Sequence, residues 1–122
     1  MGLAVGVALF GGLGAVLRYV LDHLMTSRLG RRLPWGTMTI NIIGSGFGGL
    51  LVGASLNAGL SSTTEVLVLT GLLGGFTTAS TFSYEVAELL RRERYVAGAS
   101  VAMVTMAVAL LAGIVGLALG SA

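Results

Sequence analysis

Residues 71–85 read Gly-Leu-Leu-Gly-Gly-Phe-Thr-Thr-Ala-Ser-Thr-Phe-Ser-Tyr-Glu, and no charge falls between Glu65 and Glu85. An apolar run of this length reads as a membrane span, yet this one is built against a plain helix. Gly74-Gly75 weakens it, because a glycine costs about 1 kcal/mol against alanine in a helix interior. Hydroxyls then crowd the next turns at Thr77, Thr78, Ser80, Thr81 and Ser83. Non-helical backbone at membrane depth survives only where protein buries it or where it lines a wet cavity. The stretch is therefore expected to be a broken membrane helix that handles an ion.

The rest of the chain fits that environment. It is 55% hydrophobic and only 10% charged, against roughly 25% charged in a soluble domain. That leaves too little polar surface to face water, so the bilayer is the expected solvent. The chain has 20 Gly and 1 Pro, which suits helices packed backbone to backbone in lipid. With no Cys and a single His, thiolate metal sites, disulfides and His clusters are excluded. Met1-Gly2-Leu3-Ala4-Val5 lacks the basic lead-in of a secretory signal, so the first helix is expected to be retained. Gly6 stands where the myristoylation pattern needs Ser or Thr.

A bilayer core of about 30 Å takes about 20 apolar residues of helix. The first span is read over 3–25. It is uncharged until Arg18, which has Asp22 at i+4 on the same face. Arg18 is either a snorkelling side chain with a local partner or the mouth of an anion path. A short loop carries Arg28, Arg31 and Arg32, and Pro34 and Trp35 suit a helix start and an interfacial anchor. The second span, 37–57, holds Asn41 near its beginning. Such an amide either joins helices or lines a pathway. Gly44 and Gly48, then Gly49 and Gly53, allow close helix approach. After the polar turn Ser61-Ser62-Thr63-Thr64, Glu65 suits the dipole of the next helix. The third span runs from 65 to 91 or 92, and Glu85 directly follows its hydroxyl run. The fourth, 96–119, is uncharged, with Ser100 and Thr105 as its mid-span polar groups. The fold class is thus an all-α membrane protein: one domain over 1–122, four transmembrane helices, the third broken.

The charges orient the molecule. Arg28, Arg31 and Arg32 lie between spans one and two, and Arg91, Arg92 and Arg94 between spans three and four. In a four-span chain these loops share one side. The other side has no Lys or Arg. The positive-inside rule places both basic loops in the cytoplasm and both termini outside.

No nucleophile–base pair, metal-ligand cluster or phosphate-binding loop is present. Gly11-Gly12-Leu13-Gly14 has no strand before it. The pI of 9.7 comes from two short loops rather than a basic face, so nucleic acid is excluded as a partner. A pathway remains. Hydroxyls, one amide and aromatic ring edges suit a small anion, while backbone carbonyls freed at a break suit a cation.

Gly11-Gly12-Leu13-Gly14-Ala15 with Arg18, Gly36-Thr37 with Asn41 and Gly44, and residues 71–82 with Glu85 together resemble the Fluc fluoride channels, the CrcB-like proteins. The resemblance covers nearly the whole chain. It implies passive export of cytoplasmic fluoride across a bacterial plasma membrane, and so no enzyme. It implies two subunits packed antiparallel, with pores along the dimer. A structural sodium ion would sit at the dimer centre, held by backbone carbonyls of Gly74 and Thr77. Asn41 would be the pore amide, Ser80 and Thr81 the polar track, and Phe82 a ring of the pore. Arg18 and Glu85 match charged positions near the pore ends, and Thr105 is the best polar candidate on the fourth span.

One departure stands out. The family pattern is Thr-Phe-Ser-Thr-Phe, and here it reads Thr78-Ala79-Ser80-Thr81-Phe82, so the first ring is missing. Phe76 is a poor substitute because it falls within the break. The charge bias also argues against a chain that inserts both ways. Both features favour one half of an antiparallel heterodimer with a homologous sister subunit, a homodimer being the alternative. Two rivals remain open. A four-span multidrug exporter looks like a protein with a carboxylate midway along its first helix, and no acidic residue lies between Met1 and Leu17. A purely structural partner subunit with a decayed pore explains Ala79 but not the run from Thr77 to Ser83.

Overall fold

The computed structural model describes all 122 residues and contains helices only: α1 (Gly2–Leu29), α2 (Trp35–Ala58), α3 (Ser62–Glu65), a π-helical stretch (Val66–Leu73), α4 (Gly74–Phe76), α5 (Ala79–Arg91) and α6 (Tyr95–Gly120). α1, α2, α6 and the composite third span Ser62–Arg91 are long and apolar enough to cross a membrane. Each exceeds or matches its expected length by a few residues, and the third is interrupted as expected.

The helix ends follow local chemistry. Gly30 (φ 82) and Gly59 (φ 67) close α1 and α2 in the left-handed region that glycine enters freely. Pro34 precedes α2 at its N-cap. The Ser61 hydroxyl accepts from the Thr64 N–H at the start of α3, the usual N-cap bond. Between α5 and α6 the Arg94 N–H returns to the Leu89 carbonyl at 2.9 Å.

The four spans pack as two parallel pairs, neither formed by sequence neighbours. α1 runs beside the third span. A Cβ on Gly75 would strike the Gly11 carbonyl, one on Gly14 the Leu72 carbonyl, and one on Gly71 would lie 2.8 Å from Phe10 Cβ. α2 runs beside α6. Cβ atoms on Gly49, Gly53, Gly116 and Gly120 would strike the carbonyls of Gly113, Leu117, Gly46 and Leu50 respectively. Small residues on both partners let the backbones touch, which is how helices gain contact in a solvent as apolar as their side chains. Two bonds fix the register: Ser45 Oγ donates to the Ala109 carbonyl at 2.7 Å, and Asn57 Nδ2 to the Ala122 carbonyl at 3.1 Å.

Both basic loops lie at one end, since Arg94 Nη1 donates to the Arg32 carbonyl at 2.6 Å. At the opposite end Ser55 Oγ donates to Glu65 Oε2 at 3.0 Å. The buried apolar core is small: Met38, Leu89 and Val101 cluster with Leu33, Phe82 and Val86 packed on them, and Ile40 and Phe76 are buried apart from that cluster. Large apolar side chains cover the outside, especially on α6.

The break differs from expectation. Gly74-Gly75 remains helical in α4, and the interruption falls at Thr77 (φ −82, ψ 160) and Thr78 (φ −152, ψ 120). The physical reason is packing. Gly75 is needed bare to meet Gly11, and the chain opens where the Asn41 and Thr78 side chains take the Thr78 and Thr81 N–H groups. The stretch before it relaxes into i→i+5 bonding over Val66–Leu73, a form concentrated near functional sites.

Gly116→Val should therefore destabilise the chain by about 1–3 kcal/mol, as over-packing does. Gly12→Val, whose Cβ would meet nothing within 4 Å, should be neutral. Unfolding of both in a denaturing-detergent titration checks this, and equal midpoints would refute the backbone-contact account of the α2–α6 pair.

Candidate functional site: a broken helix between cavities

In a continuous helix the Thr78 N–H would donate to the Gly74 carbonyl and the Thr81 N–H to the Thr77 carbonyl. Neither bond is made. The Thr78 N–H donates instead to Asn41 Oδ1 at 2.9 Å, and the Thr81 N–H to Thr78 Oγ1 at 3.1 Å. Asn41 Nδ2 in turn donates to the Thr78 carbonyl at 2.8 Å. A backbone N–H can only donate and a carbonyl only accept, so these contacts fix which way the amide points. The interruption takes the i+4 donors from the carbonyls of Gly74, Gly75, Phe76 and Thr77, and at Gly74 and Thr77 the lost donor is held by a side-chain oxygen. Thr77 itself is held by its N–H and hydroxyl, both donating to the Leu73 carbonyl at 2.9 Å, and its methyl seats on Gly44.

Asn41 thus joins helices, one of the two roles open to it in sequence. It has a second Nδ2 proton, and it also borders an open cavity of ≈ 500 Å³ with Gly74, Thr77, Ala79, Phe82 and Thr105. Thr105 is 3% exposed, and its hydroxyl has no partner. Ser45, on the same wall, spends its proton on Ala109. Phe82 is half-buried, one side on the core. Ala79 is exposed at the cavity, at the position where the Thr-Phe-Ser-Thr-Phe pattern carries its first ring. Phe76 is buried facing a separate apolar groove with Leu17, Phe47 and Leu72, so it does not replace that ring.

The remaining candidates lie on the α1 side of the break. Arg18 and Thr81 line a smaller cavity of ≈ 220 Å³ with Asp22, Thr37 and Thr78. Arg18 makes no ion pair with Asp22: the salt bridges are Arg91–Glu88 and Arg92–Glu88. The Asp22 carboxylate lies instead where Gly36 would carry a Cβ, so the i+4 pairing read from sequence is replaced by packing against α2. Glu85 accepts from the Thr37 hydroxyl at 3.0 Å through Oε1, and its buried Oε2 has no partner. It lies in a bowl of ≈ 360 Å³ with Arg31, Arg32, Arg92 and Arg94. Asp22 borders both bowl and smaller cavity, so a polar strip leads from the basic end towards the break. Ser80 is exposed and touches Thr78 Oγ1 at 3.3 Å.

The structure therefore brings Asn41, Gly74, Thr77, Phe82 and Thr105 together, and sets Arg18, Thr81 and Glu85 on the other side. Thr78 touches both cavities and was not singled out in sequence. Its position three residues before Thr81 is the N-cap spacing that could have found it.

The model of the CrcB-like protein family (Camphor Resistance, CrcB) matches residues 5–117. The fluoride-specific ion channel FluC 1 of Leifsonia xyli subsp. xyli is 41% identical over 118 residues, 97% of this chain and 86% of its own length. FluC 2 of Cutibacterium acnes is 46% identical over 120 residues, 94% of each chain. FluC of Geobacter sulfurreducens is 48% identical over 85 residues, 69% of this chain and 68% of its own length. Matched over nearly its whole length, the chain belongs to the CrcB-like protein family.

Proposed function

We propose that this chain is a subunit of a fluoride-selective channel that lets cytoplasmic fluoride leave passively down its gradient. The observation that carries the reading is the cavity beside the break. Its wall offers the unpartnered Thr105 hydroxyl, the second Asn41 amide proton and the Phe82 ring, all suited to a small, strongly hydrogen-bonding anion. The relatives, named as fluoride-specific channels, point to the same ion. Fluoride enters from the basic bowl, where unpaired Arg31 and Arg32 favour anions, and follows Glu85, Arg18, Thr81 and Ser80 as a polar track.

Gly74 and Thr77 would hold a structural sodium ion. The residues fit the ion, because both carbonyls have lost their helical donors and ions are held by such oxygens in place of water. Bound there, sodium would supply a fixed positive charge at the centre of the assembly. One chain offers too few carbonyls to enclose it, which supports a second subunit related by an antiparallel arrangement. A homologous sister subunit is favoured over a second copy, because every loop Arg lies at one end and Ala79 leaves one wall without its ring. Some relatives are numbered FluC 1 and FluC 2, in keeping with paired subunits. Both basic loops face the cytoplasm and both termini the outside.

Flux from fluoride-loaded liposomes that hold the chain together with its sister subunit tests the reading. Thr105→Val removes a hydroxyl that has no partner, so stability should hold or rise, while flux falls at least tenfold, or about 1.4 kcal/mol in barrier. Unchanged flux would remove Thr105 from the pathway. Expressed alone, the chain should show little flux, and a sister subunit or Ala79→Phe should raise it. Full activity alone, with labels reaching Leu29 from both sides of the membrane, would sink the heterodimer.

A further inference from the structure

We propose that Asn41 and Thr78 are positioning residues for the cation site: their side chains capture the Thr78 and Thr81 N–H groups and so keep the Gly74 and Thr77 carbonyls unpaired. The proposal rests on the sodium reading above and names the device that creates the site.

Each half of the device releases one carbonyl. Asn41 Oδ1, on α2, takes the Thr78 N–H that Gly74 would otherwise receive. Thr78 Oγ1 takes the Thr81 N–H that Thr77 would otherwise receive. Asn41 Nδ2 ties the Thr78 carbonyl to the same amide, so the two halves meet at Thr78, one on its backbone and one on its side chain. Without these acceptors, each N–H faces hydrocarbon unpaired or returns to its i−4 carbonyl. The second is far cheaper where no water can serve. Closing the helix would then cover both oxygens. No other side chain donates to or accepts from the Thr78 or Thr81 backbone. The same amide borders the anion cavity, so one residue joins the two sites. A role as simple glue makes a different prediction: loss of Asn41 would weaken the fold without touching the ion.

The test is thermal unfolding of the purified full channel in detergent, with sodium titrated against a large organic cation. The wild type should unfold at higher temperature as sodium rises, with a measurable half-maximal concentration. Asn41→Leu and Thr78→Val should raise that concentration at least tenfold, and Thr78→Ser, which keeps the accepting oxygen, should restore it. If Asn41→Leu does not fold, Thr78→Val carries the test alone, since it leaves both Asn41 bonds in place. Lower midpoints with an unchanged sodium concentration in both variants would show glue only and overturn the proposal while leaving the sodium reading intact. Loss of sodium response in Thr78→Ser as well would also overturn it. A wild type indifferent to sodium would overturn the sodium reading, and this proposal with it.

Discussion

The exchange of two backbone hydrogen bonds for two side-chain ones is the constraint on which the rest depends. In hydrocarbon an open helix turn is costly, since each unpaired group loses several kcal/mol. Around Thr77 and Thr78, two N–H groups that leave the helical ladder find a side-chain oxygen, Asn41 for Thr78 and Thr78 for Thr81, while Thr77 keeps its helical bond to Leu73. The carbonyls of Gly74 and Thr77 are left without those donors, and a carbonyl is a group a cation can use. The opening persists because side-chain oxygens hold these two donors away from the Gly74 and Thr77 carbonyls.

That exchange requires α2 to stand very close to the break. Glycine supplies the approach. Gly44 receives the Thr77 methyl, and Gly75 meets Gly11 across the α1 crossing. The α2–α6 contact at Gly46, Gly49, Gly116 and Gly120 then fixes α2 from behind. Gly36 lets the Asp22 backbone and carboxylate press on the start of the same helix. The glycines thus act as spacers that set the depth of Asn41, and the large apolar residues outside them face lipid or a partner.

Much of this was legible in the sequence, and the reasons are physical. Span positions follow from hydropathy, the common end of the basic loops from counting spans, and the break from polar groups at membrane depth. Asn41, Gly74, Thr77, Phe82 and Thr105 were identified by residue type and by resemblance, and they do share one cavity. Three things were not legible. The break lies past Gly74-Gly75, because tertiary contact with α1 rather than propensity decides what those glycines do. Arg18 does not pair with Asp22, because α2 packs against that carboxylate. The division of the polar residues between two cavities depends on the rotation of α5, which the open turn at Thr77 and Thr78 resets and no periodicity encodes.

The pairing of parallel, non-adjacent spans has a consequence for biogenesis. Ser45 reaches a carbonyl 64 positions later in the chain, and α1 finds its glycine partners only once the third span has been made. The first two helices must therefore wait in the bilayer with their bare glycine faces uncovered until synthesis is nearly complete. Non-local closure of this kind slows folding and exposes half-made chains to wrong partners. The two-residue openings at Thr77 and Thr78 can take shape only after α2 is already in place to receive them. The opening beside Asn41 therefore takes shape on a scaffold that an earlier helix holds ready.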